Sequence, residues 1–339
     1  MNPASDVVVT VPSLLALAIA ALISALVTWA SRPLLQRYAL ARPNARSSHR
    51  IPTPQGAGIA VIAATLLVAS MWAAWANIAI PPALVIATIV IALVGFADDI
   101  VSLPVPVRLV LQAACVGAVV FTAPETSRIV PALPLALERG FILLAGIWFV
   151  NLVNFMDGLD LMTVAEVVPV TAALLLLGWL GELSWPAALI ATTLCGAMLG
   201  FAPFNKPVAK VFLGDVGSLP IGLLLGWCLL ELAWHGQPAA ALLLPAYYLT
   251  DSTITLFRRV ARREQFWSAH RSHFYQRATD NGFTVPRVTG EVLALNIVLA
   301  VLAIVTVRAG SMAATLLALI AGAIAIGLVL RRFSRRQGS

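Results

Sequence analysis

The stretch IPPALVIATIVIALVGFADD, from Ile80 to Asp99, decides the fold class. It carries no charge until its last two residues, which are both aspartates. It is also long enough for a helix to cross a bilayer, which takes about 20 residues. Working outward, the same pattern recurs, and eleven segments read as spans: 10–30, 57–76, 80–97, 107–123, 140–156, 160–180, 186–203, 212–233, 239–257, 289–307 and 310–330. The 339-residue chain is 60% apolar and 11% charged, against about 25% charged residues in a soluble domain. These numbers predict an all-α polytopic membrane protein with one integral-membrane domain over 1–339. They leave no room for a separate soluble domain, and no internal repeat is visible. Residues 1–10 lack the basic stretch of a secretory leader and further apolar runs follow, so the first run reads as a span. Cys115, Cys195 and Cys228 lie scattered in apolar sequence without a Cys-x-x-Cys pair, which argues against zinc, iron–sulfur and disulfide frameworks.

The net charge of +7 would point to nucleic acid in a soluble protein; in a membrane protein it reports orientation and anionic headgroups. With eleven spans the connections alternate sides, and nineteen of the twenty-two Lys and Arg fall on one side, in connections of about 31–56, 98–107, 157–160, 204–211 and 258–288 and in the C-terminal tail. The other side receives Arg128, Arg139 and Arg308. Cytoplasmic loops concentrate Lys and Arg, so the N-terminus is expected outside and the C-terminus in the cytoplasm.

That alternation gathers three acidic motifs on the cytoplasmic side: Asp98-Asp99, Asn151-Leu-Val-Asn-Phe-Met-Asp-Gly-Leu-Asp160, and Phe212-Leu-Gly-Asp-Val-Gly-Ser218. Carboxylates are costly beside lipid, so placing them where spans end points to a metal or an anion held there. Neighbours on a helix point about 100° apart. Asp98 and Asp99 are therefore expected to divide labour, one touching the reacting group and the other orienting a metal or basic partner. A polar stop after the span is the plain reading of the pair. Asn151, Asn154 and Asp157 recur every third residue and share one broad helical face, with Asp160 following; their oxygens suit Mg²⁺ and their amides a nucleobase or sugar. The plain reading here is a buried polar cluster linking helices. Asp215 lies between glycines that allow a tight turn, where it could equally cap the next helix. Asn205, Lys206 and Lys210 lie just upstream, placed to meet phosphate.

The loop 258–288 carries His270-Arg271-Ser272-His273 behind Arg258, Arg259, Arg262 and Arg263. Arginines and histidines together clamp phosphates, while the basic run alone reads as orientation and lipid contact. No cysteine or nearby carboxylate completes a zinc set around the two histidines. Arg46-Ser-Ser-His49-Arg50 with the Thr53-Pro-Gln-Gly-Ala-Gly58 turn forms a second candidate anion clamp. One chemistry uses all these parts: carboxylates and Asn oxygens hold Mg²⁺ on a diphosphate while cations neutralise an anionic nucleophile. At a membrane face, the acceptor is expected to be a lipid phosphate.

These motifs, in this order, resemble the polyprenyl-phosphate N-acetylhexosamine-1-phosphate transferases, glycosyltransferase family 4; Pro245, Asp251 and the Arg258-Arg259 pair add to the likeness, which runs from about residue 42 to 280. The resemblance implies a Mg²⁺-dependent enzyme of the bacterial inner membrane, with Mn²⁺ an admissible substitute. The sugar 1-phosphate of a UDP-N-acetyl amino sugar passes to undecaprenyl phosphate, and UMP leaves. It implies Asp215 as the metal-binding aspartate with Asn154 as its neighbour or a second metal ligand, and Asp98 and Asp99 as the pair that engages the lipid phosphate. Asp157 joins them among the catalytic carboxylates. Asn205, Phe212, Asp157 and Gly158 match positions associated with uridine, with Asn151 and Asp160 in the same stretch. His270, Arg271 and His273 match the loop that contacts the sugar phosphate. A homodimer is compatible with it, and nucleic acid is not a partner.

The phospho-N-acetylmuramoyl-pentapeptide transferases of peptidoglycan synthesis carry three consecutive histidines where this chain has His270-Arg-Ser-His273. The sequence therefore resembles more the transferases that start O-antigen or related lipopolysaccharide chains, some of which use 6-deoxy N-acetyl sugars. The peptidoglycan enzyme is the alternative. An ion-coupled transporter is more distant, since transporters place carboxylates near the midplane within paired repeats. Here nearly all the polar motifs gather at one face; Asp251, in the ninth span, is the exception, and it reads as a helix-packing or loop-anchoring residue.

Overall fold

The computed structural model describes residues 3–41, 52–77, 79–265 and 270–337. The Arg46–Arg50 half of the proposed second anion clamp lies outside them. The helices are α1 (Pro3–Tyr38), α2 (Gly58–Ala76), α3 (Pro82–Val101), α4 (Val105–Thr122), α5 (Leu135–Met156), α6 (Met162–Trp179), α7 (Trp185–Phe201), α8 (Asp215–Trp234), α9 (Pro238–Leu243), α10 (Ala246–Ala261), α11 (Phe274–Asp280), α12 (Val285–Ala309) and α13 (Met312–Phe333). Ten of these helices are long and apolar enough to cross a membrane, so the chain is an all-α, multi-pass membrane protein. With no water in the hydrocarbon layer, each span must close its own backbone hydrogen bonds, which a helix does.

The most buried spans are α6, α7 and α8, which form the centre. α1 lies along α7, where Gly196 and Gly200 let the backbones meet: a Cβ at either would stand 2.1 Å from the carbonyl of Leu17 or Ala21. Small residues four apart are how membrane helices gain close van der Waals contact. α3 and α5 flank α8, and α12 packs on α6 with α13 outside it.

The ninth expected span differs from its reading. The chain makes α9, breaks at Leu244–Pro245, and resumes as α10. Pro245 lacks the N–H that would continue the ladder. The crossing nevertheless survives. α8 begins at Asp215 and runs about 30 Å to the opposite end of the bundle. Downstream of α10, the Tyr275 hydroxyl donates to the Phe155 carbonyl at 3.0 Å, beside Asp157, on the end where α8 began. The α9–α10 pair therefore carries the chain back across.

Two of the three cations assigned to the sparse side have local work. Arg139 donates to the Val120 carbonyl at 3.0 Å and to Pro124 at 2.7 Å, closing the end of α4. Arg128 pairs with Glu138 at 2.6 Å. On the other end, Leu40–Ala41 pairs antiparallel with Thr53–Pro54, and Gln55 then bridges to Phe212. The backbone amides of Gly56 and Ala57 donate to Phe212, and that of Gly58 to Leu213. The Thr53–Gly58 turn, half of the proposed clamp, is thus a strut that docks the start of α2 against the segment leading into α8.

Candidate active site

Asp98 and Asp99 do not end their helix. α3 continues to Val101, and only Ser102–Pro104 separate it from α4. The two carboxylates diverge, as their 100° spacing requires. Asp99 accepts from the backbone N–H of Asp215 at 2.9 Å and of Val216 at 3.1 Å, so it caps α8 from another helix. Gly214, with φ +78°, makes the turn before it, and a Cβ there would stand 2.6 Å from the Asp99 carboxylate. The cap role open to Asp215 is therefore filled by Asp99, and the Asp215 side chain is released for other contacts.

Asp98 accepts from the Leu103 N–H and from Arg108 Nη1, both at 2.6 Å. The same guanidinium nitrogen lies 3.7 Å from Asp215 Oδ2. Asp215 Oδ1 accepts from Asn154 Nδ2 at 2.7 Å, and that nitrogen also reaches Ser218 Oγ at 2.9 Å. Residues from α3, α4, α5 and α8 thus converge on one partly open cluster: Asp98, Arg108 and Asp215 keep 10%, 17% and 28% of their side-chain surface. One turn deeper, Asn151 donates to Gln112 at 2.7 Å, so the two asparagines of α5 meet the two polar residues of α4 and α8 in successive layers.

Asp157 leaves the helix whose face it was expected to share: its backbone has φ −83° and ψ 55°. Its carboxylate accepts from the Thr163 hydroxyl. Burial pushes it up to about 6, with Asp99 and Asp160 adding repulsion. Asp160 accepts from the Ala209 N–H at 3.0 Å. Asn205 accepts from Leu161 N–H at 2.7 Å and donates to the Val211 carbonyl at 3.0 Å, tying the 157–161 turn to the 205–214 segment. Phe212 contributes through the backbone contacts already described. Gly158 lies under the Tyr275 hydroxyl, which a Cβ would meet at 2.2 Å.

The histidine–arginine loop divides. His273 is buried, 3.3 Å from Asp251, and its ring lies 5.0 Å from that of His270 and 6.4 Å from Phe155. Asp251 also accepts from the N–H groups of Phe274 at 3.0 Å and Tyr275 at 3.2 Å, and from the hydroxyls of Tyr247 and Thr255 at 3.2 Å each. It is the loop anchor that the sequence allowed. Arg271 turns instead to Thr279 and Asp280, at 2.9 and 3.1 Å. With Arg258, Arg259, Arg262, Arg277 and Glu264 it lines a cavity of about 350 Å³. The basic run that read as lipid contact is gathered there into an anion-attracting pocket.

Arg108 is the residue sequence reasoning missed, having been counted only as a loop charge. Its signal was present: a lone arginine in the first turn of an apolar span, ten residues after Asp98. Among the described residues no three of His, Cys, Asp and Glu gather closely enough to hold a metal alone. Mg²⁺, however, is commonly held by one or two carboxylates completed by substrate phosphates. Asp98 and Asp215 fit that mode, since both already turn an oxygen toward one cationic nitrogen. Asn154 presents its amide nitrogen to Asp215 and so orients that carboxylate.

The family model described as Glycosyl transferase family 4 matches residues 81–233, which include Asp98, Asp99, Arg108, the Asn151–Asp160 stretch and Asp215. The decaprenyl-phosphate N-acetylglucosaminephosphotransferase of Mycolicibacterium smegmatis is 31% identical over 62% of this chain and 58% of its own length. The protein of that name from Mycobacterium tuberculosis is 28% identical over 79% of this chain and 76% of its own. A phospho-N-acetylmuramoyl-pentapeptide-transferase from Symbiobacterium thermophilum is 31% identical over 54% of this chain and 61% of its own. The matched segment holds the whole Asp98–Arg108–Asp215 cluster, and over it the chain is similar to glycosyl transferase family 4.

Proposed function

We propose that the protein transfers the 1-phosphate of an N-acetylated amino sugar from a UDP-sugar to undecaprenyl phosphate, releasing UMP and starting a lipid-linked glycan such as an O-antigen. The observation that carries this reading is Arg108 held between Asp98 and Asp215 at the end of the bundle where the cationic connections gather. A guanidinium so placed can exchange a carboxylate for a phosphate oxygen with little movement. The relatives, named for polyprenyl-phosphate and sugar-phosphate transfer, support the same class.

In the reaction an oxygen of the acceptor phosphate attacks the sugar-bearing phosphorus. A new P–O–P link forms, the bond to the uridine-side phosphate breaks, and UMP leaves with the bridging oxygen. Arg108 neutralises the incoming phosphate, and Asp98, freed from it, steers the acceptor. Asn154, itself bonded to Ser218, holds Asp215 in position. Asp215, with Asp98, would hold Mg²⁺, or Mn²⁺ in its place, which when bound supplies charge neutralisation on the diphosphate. The Asp157–Asp160 turn and His270–His273 flank this cluster, and we assign the sugar nucleotide to that side. The sixfold excess of Lys and Arg on the site's side supports a cytoplasmic face in the bacterial inner membrane.

The test is a panel of UDP-amino sugars, including UDP-N-acetylmuramoyl-pentapeptide, given to purified protein with undecaprenyl phosphate and Mg²⁺. UMP release that depends on the lipid and is lost in Asp215→Ala and Asp98→Ala is the expected result. Full activity in both variants would overturn the site, and transfer from the pentapeptide donor alone would move the chain to the peptidoglycan branch.

A further inference from the structure

A second arginine cluster lies outside the site. Its cavity, of about 290 Å³, is lined by Arg287, Arg331, Arg332, Arg335 and Arg336, with Phe283 among its walls. The C-terminal segment is fastened there: Asn281 Nδ2 donates to the Phe333 carbonyl at 2.7 Å, and the Gln337 N–H donates to Asn281 at 2.9 Å. Phe283 meets Phe333 edge-on at 5.8 Å, and Arg287 and Arg332 lie 5.2 and 5.9 Å over its ring. Glu291 lies 3.2 Å from both Arg287 and Arg332. Five guanidiniums gathered on one cavity make a strong positive field.

The cavity opens onto a track made for a hydrocarbon chain. On α13, Leu316, Ile320, Ile324 and Leu328 are all more than half exposed and recur every fourth residue, and the next step is Arg332. Leu328 itself lines the cavity. An apolar stripe that ends in a ring of guanidiniums matches an amphiphile with an anionic head. The geometry points to a binding site for an acidic phospholipid, its phosphate in the arginine cavity and an acyl chain along Leu328, Ile324 and Ile320. Arginine rather than lysine suits bidentate capture of a phosphate.

The position gives the lipid a lever. α11, only seven residues long, connects the cavity to Tyr275 and so to Phe155 and the His270–His273 loop. A lipid seated at Asn281–Phe283 would brace the far end of that short helix.

Native mass spectrometry on delipidated full-length protein tests this, with phosphatidylglycerol and phosphatidylcholine as probes. Phosphatidylglycerol should bind at least tenfold more tightly. Three arginines at about fivefold each make the R331Q/R335Q/R336Q variant about 100-fold weaker, with its thermal midpoint in phosphatidylcholine micelles unchanged. Glu291→Gln removes the opposing charge and should tighten binding. Equal retention of the two lipids, or unchanged binding in the triple variant, would overturn the assignment. Displacement by inorganic phosphate at equal concentration would mark a soluble-anion site instead, and one-for-one displacement by undecaprenyl phosphate would mark an acceptor site. Binding is read without turnover, so this result is separate from that of the transferase assay.

Discussion

Asp99 lies in a pair of aspartates next to the Asp98–Arg108–Asp215 cluster, yet its two oxygens are engaged by the amides of Asp215 and Val216. Asp99→Ala removes both acceptors from the N-terminus of α8. A hydrogen bond to a charged group contributes about 1.5–3 kcal/mol, and an N-cap truncation costs about 0.5–2 kcal/mol. The two bonds share one carboxylate, so their losses overlap, and roughly 3 kcal/mol of stability should go. Asp99→Asn keeps one acceptor oxygen and should lose about half of that, by the same reasoning. The assay is SDS titration of the purified protein in mild detergent micelles, followed by helix content, with product formation measured on the same samples. Turnover should fall in the order wild type, Asn, Ala, in step with the unfolding midpoint. An Asp99→Ala protein that unfolds at the wild-type SDS fraction but makes no product would refute this, and would place Asp99 on the substrate.

Three further outcomes follow from the geometry. Arg108→Gln should lower product formation by about 10²–10³-fold, as loss of a preorganised charge stabiliser does, while Arg108→Lys should recover part of it; steady-state kinetics at saturating donor decides, and wild-type turnover in Arg108→Gln would remove the residue from the mechanism. Asp251→Ala should free the His270–His273 loop, seen as faster hydrogen exchange at Phe274 and Tyr275 and a raised KM, because five donors within 3.3 Å lose their acceptor; unchanged exchange there would count against the anchor. Asp157 is raised from 3.8 to about 6 in the fold, so its contribution is fully present below pH about 4 and is lost as the pH climbs through about 6, roughly 3 kcal/mol in all. The SDS midpoint of wild type should therefore drop over that window, and Asp157→Asn should flatten the drop; parallel curves would refute the assignment.

Much of this architecture is written in local pattern, and most of the site is not. Spans such as Pro82–Val101 and Val285–Ala309 are legible because a lipid-facing helix must be apolar over its whole length. The break before Ala246 was less visible, since the apolar run continues through Pro245 and only backbone hydrogen bonding registers the interruption. The three acidic motifs could be gathered on one face by counting charges, a global property. Their division of work depended on contacts between residues more than a hundred positions apart, such as Asp99 with Asp215. Arg108 escaped notice for the same reason: alone it is a charge near a span end, and only the approach of α3 and α8 makes it a partner to two carboxylates. Asn205 shows the converse, a residue whose family position suggests ligand binding and whose side chain here also holds two segments together.

Arg108 also bears on how a cycle would end. The proposed acceptor lipid carries a phosphomonoester, close to a dianion at neutral pH. The proposed product carries a diphosphate diester, whose phosphates hold one negative charge each. An arginine resting 2.6 Å from Asp98 would exchange that carboxylate for the dianion more readily than for either half of the product. Once the new linkage formed, the guanidinium would return to its carboxylate, with the finished lipid the weaker competitor. In the proposed reaction the ion pair of the resting site would thus act as a built-in discharge, favouring departure of the product without any further movement of the bundle.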